Sequence, residues 1–180
     1  VLITYIRDFL EGVVGDAYAN PYGEGRITVT NMPYTDVSEG RFYYEPIQYV
    51  DGQGYMEGVG DGRFAPNSPL NRAMVATVLY RMAGEPEVTD TGSFPDVVEG
   101  SYYETAVAWA AANGIVGGYE DGTFRPLRSI TRQEMVKMFY RYAEFTGLDV
   151  SKAADLTGFA DDETIFPYAV EAMQWAVAVG

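Results

Sequence analysis

The sequence predicts a mainly α-helical protein built from tandem helix–loop–helix repeats. Three observations predict this class: an internal repeat, apolar residues at helical spacing, and cap residues at the helix ends. With 180 residues, 47% of them apolar, the chain is long enough to bury a core. Because one helix pair cannot bury its apolar stripes alone, we expect the repeats to pack on one another around a pseudo-threefold axis.

The internal repeat appears when the sequence is shifted against itself until Asp36 falls on Asp96, since it then aligns without a gap as far as Ala143. The other matched pairs are Asp61–Gly62 with Asp121–Gly122, Phe64 with Phe124, Pro66 with Pro126, and Arg72 with Arg132. So long a register indicates a repeated supersecondary unit. A third copy begins at Phe159, with Asp161 in the position of Asp96 and Trp175 in the position of Trp109.

The alignment divides the chain into an N-terminal flanking segment (1–33), repeat 1 (34–84), repeat 2 (94–147) and the first half of repeat 3 (159–180). Polar connectors separate the repeats. The third copy stops before its turn and its second helix, so we expect either that the chain was cut or that the missing half is supplied elsewhere. In the flanking segment, residues 2–14 are predicted to form a helix, to which no function is assigned.

The first helix of the unit is clearest in repeat 2, where an apolar stripe at helical spacing predicts it. The stripe consists of Tyr103, Ala106, Val107, Ala110 and Ala111. Asn113–Gly114 is expected to end this helix, since glycine readily adopts positive φ after a helix end. The stretch Gly117–Pro126 predicts turns, because its glycines permit positive φ and Pro126 stops strand pairing.

A capping box of Thr131 and Glu134 predicts the start of the second helix, and Gly147 is expected to end it. Its apolar face consists of Met135, Met138, Phe139 and Tyr142. In repeat 1 the equivalent face consists of Val75, Val78, Leu79 and Met82. There Asn71 is predicted to cap the helix without a box, because Met74 stands where Glu134 would be.

Composition argues against several classes of function. The chain has 26 acidic and 12 basic residues and a net charge of −14, which disfavours binding to nucleic-acid phosphates or to an anionic membrane. It has no Cys and no His, so thiolate nucleophiles and the commonest general base are absent. The two Asp–Gly pairs lack calcium-loop spacing, and we predict neither a metal site nor a cofactor. The longest uncharged run, 105–119, is too short to cross a membrane.

The stretch Gly118–Glu134 places Arg125, Arg128 and Arg132 in a turn-rich segment of this acidic chain. An arginine at a helix start is unusual, because the positive end of the helix dipole disfavours cations. The same end has unpaired N–H groups, so Arg132, and Arg72 at the equivalent start in repeat 1, could each hold a carboxylate together with the first-turn amides. The alternative is that both arginines form internal ion pairs at a repeat junction.

Repeat 2 resembles the S-layer homology (SLH) repeat of bacterial cell-surface proteins. The matching segments are Phe94–Val97 for F-x-D-V, Trp109–Ala110 for W-A, Gly114–Pro126 for G-I-x-x-G-Y-x-D-G-T-F-x-P, and Ile130–Glu134 for I-T-R-x-E. The resemblance extends roughly from Tyr34 to Gly180. Repeat 1 departs from it, with Tyr49 in place of Trp109 and Leu70–Met74 in place of I-T-R-x-E.

The resemblance implies a non-catalytic module of the bacterial cell surface that binds secondary cell-wall polysaccharide, often through a pyruvylated sugar, in grooves between the repeats. We expect Arg72 and Arg132 to bind the pyruvate carboxylate. Further candidates for ligand contacts are the aromatic residues Trp109, Trp175 and Tyr49, which could stack on a sugar ring, together with Asp36, Asp96, Asp161 and Gly118.

Other interpretations stay open at this point. Trp109 and Trp175 lie on apolar helix faces and could belong to the core, and the repeated aspartates could cap helices or turns. The module could instead bind other surface proteins or assemble an S-layer, with degenerate glycan grooves. A glycosidase that uses Asp161 and Asp162 is disfavoured, because neighbours in a chain seldom face one another across a scissile bond.

Overall fold

The structure is a computed structural model that describes residues 32–89 and 94–179. It confirms the mainly helical prediction. Within these ranges the chain forms five α-helices and no strand: α1 Tyr44–Gly52, α2 Arg72–Met82, α3 Glu104–Ala112, α4 Arg132–Phe145 and α5 Val170–Val179. Short 3-10 helices at Asp162–Thr164 and Pro167–Ala169 precede α5. The helix predicted at residues 2–14 lies outside the described residues.

The described residues divide into two compact units, 32–68 and 69–179. The first unit contains α1, whose Ile47 and Val50 are fully buried. In the second unit α2 packs against α3 and α4, and α4 packs against α5. The second helix of one repeat thus contacts the first helix of the next. This holds for α2 with α3 and for α4 with α5.

The helix ends and apolar faces predicted from the sequence are confirmed. Thr131 and Glu134 form the capping box of α4, and the Asn71 side chain accepts the Met74 N–H of α2 at 2.8 Å. Gly114 and Gly147 follow α3 and α4 at φ of 69° and 77°. The predicted second-helix faces are buried: Val75, Val78, Leu79, Met82, Met135, Met138, Phe139 and Tyr142. Full burial stabilises the fold by about 2 kcal/mol for each large apolar side chain.

In repeat 2, one aspartate of the opening turn holds the loop that follows the first helix. Asp96 accepts the N–H groups of Phe124 and Arg125 at 2.8 and 2.7 Å. Arg125 has φ of 57°, in the left-handed region, which costs a non-glycine residue about 1 kcal/mol. The two hydrogen bonds to Asp96 offset this cost and fix the loop.

The same arrangement occurs independently in the first unit. Asp36 accepts the N–H groups of Phe64 and Ala65, both at 2.8 Å, and Ala65 has φ of 58°. These hydrogen bonds, the one from Phe64 above all, lower the pKa of the Asp36 carboxyl. The two aspartates that the repeat aligns therefore do the same structural work in their own units.

Gly118 lies where the loop passes close to the opening turn of repeat 2. A Cβ atom built on Gly118 would stand 2.7 Å from Phe94 Cε1 and 3.1 Å from the Thr123 carbonyl oxygen. A Cβ on the neighbouring Gly117 would have its nearest atom, Arg141 Nη1, at 3.9 Å, which is ordinary contact. Gly118 is therefore required by packing, whereas Gly117 has room for a methyl group.

We expect Gly118→Ala to lower the free energy of unfolding by about 2 kcal/mol, because Phe94 or the Thr123 backbone must shift. Gly117→Ala is the matched control and should leave stability unchanged or raise it slightly. Urea denaturation of both variants measures the difference. Equal effects at the two glycines would contradict the packing role of Gly118.

Candidate functional site

The start of α2 rests on the arginine-rich turn of repeat 2. Four N–H groups of this start donate to four main-chain carbonyl groups of the turn, two from the backbone and two from the Arg72 guanidinium. The pairs are Arg72 N to Arg128 O at 3.1 Å, Ala73 N to Pro126 O at 2.9 Å, Arg72 Nε to Phe124 O at 2.9 Å, and Arg72 Nη2 to Gly117 O at 3.1 Å. The first-turn amides of α2 are thus bound to protein carbonyl groups.

Arg72 is only 7% exposed and lies between aromatic rings and a carboxylate. Its guanidinium carbon stands 4.6 Å from the Phe124 ring centre and 4.9 Å from that of Tyr119. Its Nη1 is 3.6 Å from Glu134 Oε1. Burial lowers the pKa of Arg72, but an arginine remains protonated in proteins, so the junction contains a buried cation.

Glu134 is the carboxylate that balances this cation. It accepts the Tyr119 hydroxyl at 2.7 Å and the Thr131 N–H at 2.9 Å, and it is hydrogen-bonded to Arg128 Nη2. Burial on its own would raise the pKa of the Glu134 carboxyl. The hydrogen bonds from Thr131, Arg128 and Tyr119 outweigh burial and lower it to about 2. Glu134 therefore stays ionised at every pH near neutrality.

Three arginine side chains lie close to the Tyr119 ring. The guanidinium carbons of Arg125, Arg72 and Arg128 lie 4.1, 4.9 and 5.3 Å from its centre. Such contacts between cations and aromatic rings are favourable. Glu134 and Asp121 pair with these cations, so three positive charges face two negative ones. Asp96, which accepts the Arg125 N–H, adds a third carboxylate, so the cluster concentrates three guanidinium groups on one ring and balances their charge locally.

Arg125 and Arg128 are both held and accessible, but only Arg128 is held by a buried carboxylate, because the partner of Arg125, Asp121, is itself exposed. The Arg128 Nε donates to the Tyr119 hydroxyl at 3.0 Å and its Nη2 is bound to Glu134, while the side chain remains 40% exposed. Its Nη1 has no acceptor in the part of the chain that the structure describes. Arg128 therefore presents an oriented N–H edge that could bind an external oxygen anion.

Two exposed aromatic rings lie near this cluster. Phe166 and Tyr168 are 59% and 51% exposed, and their rings stack 6.0 Å apart at 15°. The Phe166 N–H donates to the Gln133 side chain at 2.9 Å, which ties the pair to the first turn of α4. Burial and the nearby Glu134 raise the pKa of Tyr168, whereas Arg72 and Arg128 oppose the rise. Tyr168 is thus close enough to interact with these charges.

The two arginines predicted to bind a carboxylate differ in the structure. Arg72 has its guanidinium in the junction described above, so the internal alternative accounts for its contacts. Arg132 is exposed, and its side chain forms no hydrogen bond or ion pair with any of the described residues. Both stand at the first residue of their helices, as predicted.

The three predicted aromatic ligands lie in packed surroundings. Trp109 is 4% exposed and packs against the rings of Tyr80 and Phe145, both at 5.6 Å. Trp175 is fully buried and makes an edge contact with Tyr140 at 5.5 Å. Tyr49, in the first unit, is partly buried beside Tyr55. Neither tryptophan offers a ring face to a sugar in this structure.

The predicted polar ligands are also placed. Asp36 and Asp96 hold the loops of their repeats, and Gly118, although exposed, lies close against Phe94 and Thr123. Asp161 is exposed and precedes the first 3-10 helix. Arg128 and Tyr168, the candidates that the structure adds, were not predicted from the sequence as ligand contacts, although Arg128 belongs to the arginine-rich stretch Gly118–Glu134.

Within residues 32–89 and 94–179, no group of three or more Asp, Glu, His or Cys residues could hold a metal ion. No helix in the same ranges is long and apolar enough to span a membrane.

The fold and the site define a class of helical repeat protein in which the second helix of one repeat begins on the turn of the next. Comparison with protein families identifies this class, because the S-layer homology domain model matches residues 33–74 and 93–136. The chain therefore belongs to the S-layer homology family, whose proteins are found at the bacterial cell surface. The repeats predicted above, 34–84 and 94–147, start one residue after the start of each matched segment and end 10 and 11 residues beyond it.

Similar proteins support the assignment. The surface-layer 125 kDa protein of Lysinibacillus sphaericus is 32% identical over 136 residues, which cover 76% of this chain and 11% of that protein. A cellulosome-anchoring protein of Acetivibrio thermocellus is 30% identical over 64% of this chain and 27% of its own length. An exoglucanase of the same organism is 26% identical over 92% of this chain and 16% of its own length. The chain thus spans less than a third of each relative.

We expect Glu134→Gln to lower the free energy of unfolding by about 2 kcal/mol at pH 7, because Arg72 and Arg128 lose their anionic partner. The stabilisation by Glu134 is complete above the ordinary carboxyl pKa of 4.5 and is lost as the pH falls toward 2. The difference between wild type and variant, measured by urea denaturation, should therefore shrink toward zero at pH 2. Glu144→Gln, on an exposed part of α4, is the control and should change little.

Proposed function

We propose that the chain is a non-catalytic module that anchors its protein to the cell wall by binding an acidic polysaccharide, through the ketal carboxylate of a pyruvylated sugar. Its relatives support this function. The shared segment occurs in proteins named as an exoglucanase, an amylopullulanase and a surface-layer protein, and it spans 16%, 7% and 11% of their lengths. A segment common to such different proteins fits a shared attachment function better than any one catalytic activity.

One observation carries the choice of site: Arg128 is exposed and yet held by a buried carboxylate, Glu134, and by Tyr119, whereas Arg125 is held by the exposed Asp121. An oriented guanidinium loses little conformational freedom when it binds a carboxylate, so its hydrogen bonds contribute more fully to affinity. Because local carboxylates already balance the three arginines, the proposed binding depends on the oriented N–H edge of Arg128 and not on net charge. In this proposal the carboxylate contacts Arg128.

The remaining residues take supporting roles in the proposal. The exposed face of Tyr168, with Phe166 stacked behind it, offers an apolar surface for a sugar ring. Arg72 acts as a positioning residue, because it fixes the carbonyl groups of the turn that carries Arg128. Asp96 accepts N–H groups of the same turn, and the lack of a side chain at Gly118 lets the turn lie close to Phe94.

We expect Arg128→Ala to weaken binding to purified, pyruvylated cell walls about tenfold or more, since a charge-assisted hydrogen bond to the ligand is lost. Arg125→Ala is the matched control. It removes the same charge beside the same ring, but the carboxylate that holds that guanidinium, Asp121, is itself exposed, so Arg125 is less firmly oriented than Arg128. Sedimentation of the chain with cell walls, before and after chemical removal of the pyruvyl groups, measures binding.

The two variants also separate the possible outcomes. Equal weakening by Arg125→Ala and Arg128→Ala would indicate attraction by charge alone and would contradict an oriented carboxylate site. Binding that survives removal of the pyruvyl groups would favour the alternative of a protein-interaction or S-layer assembly module. Titration with a synthetic pyruvylated disaccharide then tests the sugar directly.

A further inference from the structure

Arg141, in the second half of α4, is a partly buried arginine without an internal partner. It forms no hydrogen bond, ion pair or ring contact with any of the residues that the structure describes. The other buried or partly buried cations of residues 69–179 each have a carboxylate oxygen within 4.0 Å: Arg72 with Glu134, Arg81 with Glu85, and Lys137 with Glu171. Arg141 is therefore the exception in this unit.

The repeat alignment shows which internal carboxylate Arg141 lacks. Arg81 occupies the equivalent position in repeat 1 and pairs with Glu85, one helical turn later, at 3.6 Å. In repeat 2 Phe145 stands at the position of Glu85. The nearby C-terminal end of α4 favours a cation by about 0.3–1 kcal/mol, but this attraction supplies no hydrogen-bond acceptor. The guanidinium of Arg141 must therefore be satisfied by water or by a ligand.

The adjoining loop has a gap in its side chains beside this guanidinium. A Cβ atom built on Gly117 would have Arg141 Nη1 as its nearest neighbour, at 3.9 Å. Gly117 is exposed and is not at positive φ, so its backbone conformation does not require glycine. The equivalent residue of repeat 1 is Glu57. Repeat 2 thus has open space at a position where repeat 1 has a carboxylate.

The gap lies along the same face of α4 as the arginine cluster. Arg141 follows Glu134 by seven residues, which is two helical turns, or about 10 Å along the axis. The loop after α3 runs beside both residues, since the Tyr119 hydroxyl donates to Glu134 at 2.7 Å and Gly117 lies next to Arg141. The Gly117 carbonyl group accepts Arg72 Nη2 at 3.1 Å, so the loop is fixed at the gap.

We propose that Arg141 and the gap at Gly117 form a second carboxylate-binding position, which takes another acidic sugar of the polysaccharide chain that contacts Arg128. This inference rests on the proposed function. The carboxylate accepts charge-assisted hydrogen bonds from the Arg141 guanidinium, which has no acceptor among the described residues. A glycan segment with two carboxylates then binds more tightly than a segment with one, because the second contact forms within the bound complex.

Placing a carboxylate in the gap tests the position without a glycan. We expect Gly117→Glu to raise the melting temperature by about 2 °C relative to Gly117→Gln, which has the same size and no charge. The difference should vanish in the Arg141→Gln background, because it comes from an ion pair with Arg141. A difference that persists in that background, or no difference in the original chain, would overturn the proposal.

Calorimetry with two synthetic glycans measures the second contact directly. We expect a tetrasaccharide with two pyruvyl ketals to bind about tenfold more tightly than a disaccharide with one. Arg141→Gln and Gly117→Glu should abolish this advantage, whereas Arg81→Gln, at the equivalent position with an internal partner, is the control and should preserve it.

The outcomes separate this inference from the function on which it rests. An advantage of about twofold or less, which two equal ligand groups give statistically, would overturn the second position, as would an advantage that survives Arg141→Gln. Failure of the proposed function would appear in the disaccharide, either as absence of binding or as binding that Arg128→Ala leaves unchanged.

Discussion

The arginine-rich junction depends on one interaction, the insertion of the Arg72 guanidinium into the turn of the next repeat. A guanidinium buried to this extent must have its N–H groups satisfied, because an unpaired buried charge costs several kcal/mol. The turn satisfies them with carbonyl groups that converge because Asp96 fixes the backbone at Phe124 and Arg125. The hydrogen bonds of the opening turn are therefore a precondition for the burial of Arg72.

Glu134 connects this buried interaction to the surface. Its carboxylate caps the start of α4 and balances the charge of the buried Arg72. The same carboxylate accepts hydrogen bonds from the Tyr119 hydroxyl and from the exposed Arg128. Glu134 of the capping box thus orients the exposed Arg128 guanidinium. The buried Arg72 guanidinium fixes the turn that carries Arg128. This arrangement explains why an acidic chain concentrates arginine in a single turn: each guanidinium packs on the same tyrosine ring, and local carboxylates limit their mutual repulsion.

Features that depend on local sequence could be predicted, and features that depend on distant main-chain groups could not. The capping box at Thr131, the cap at Asn71 and the buried helix faces follow from residues a few positions apart, and the structure confirms them. The acceptors of Arg72 lie 45 and 52 residues away and are carbonyl groups, which every residue carries and no motif marks. The proximity of Tyr168 to Arg128 could not be predicted from the local sequence either, since it depends on how the segment before α5 packs against α4.

Arg72 and Arg132 are the same residue type at equivalent helix starts, but Arg72 is buried and Arg132 is exposed. A guanidinium beside free amides fits a carboxylate or a row of peptide carbonyl groups equally well in hydrogen-bond geometry, so the residue type alone does not decide between ligand and partner. At α2 the partner is protein, because the packing of α3 on α2 places the turn after α3 against the start of α2. In the proposed function the glycan contacts Arg128, on the outer side of that turn. The buried Arg72 holds the repeat junction together, and the exposed arginine beside it is the one proposed for the ligand.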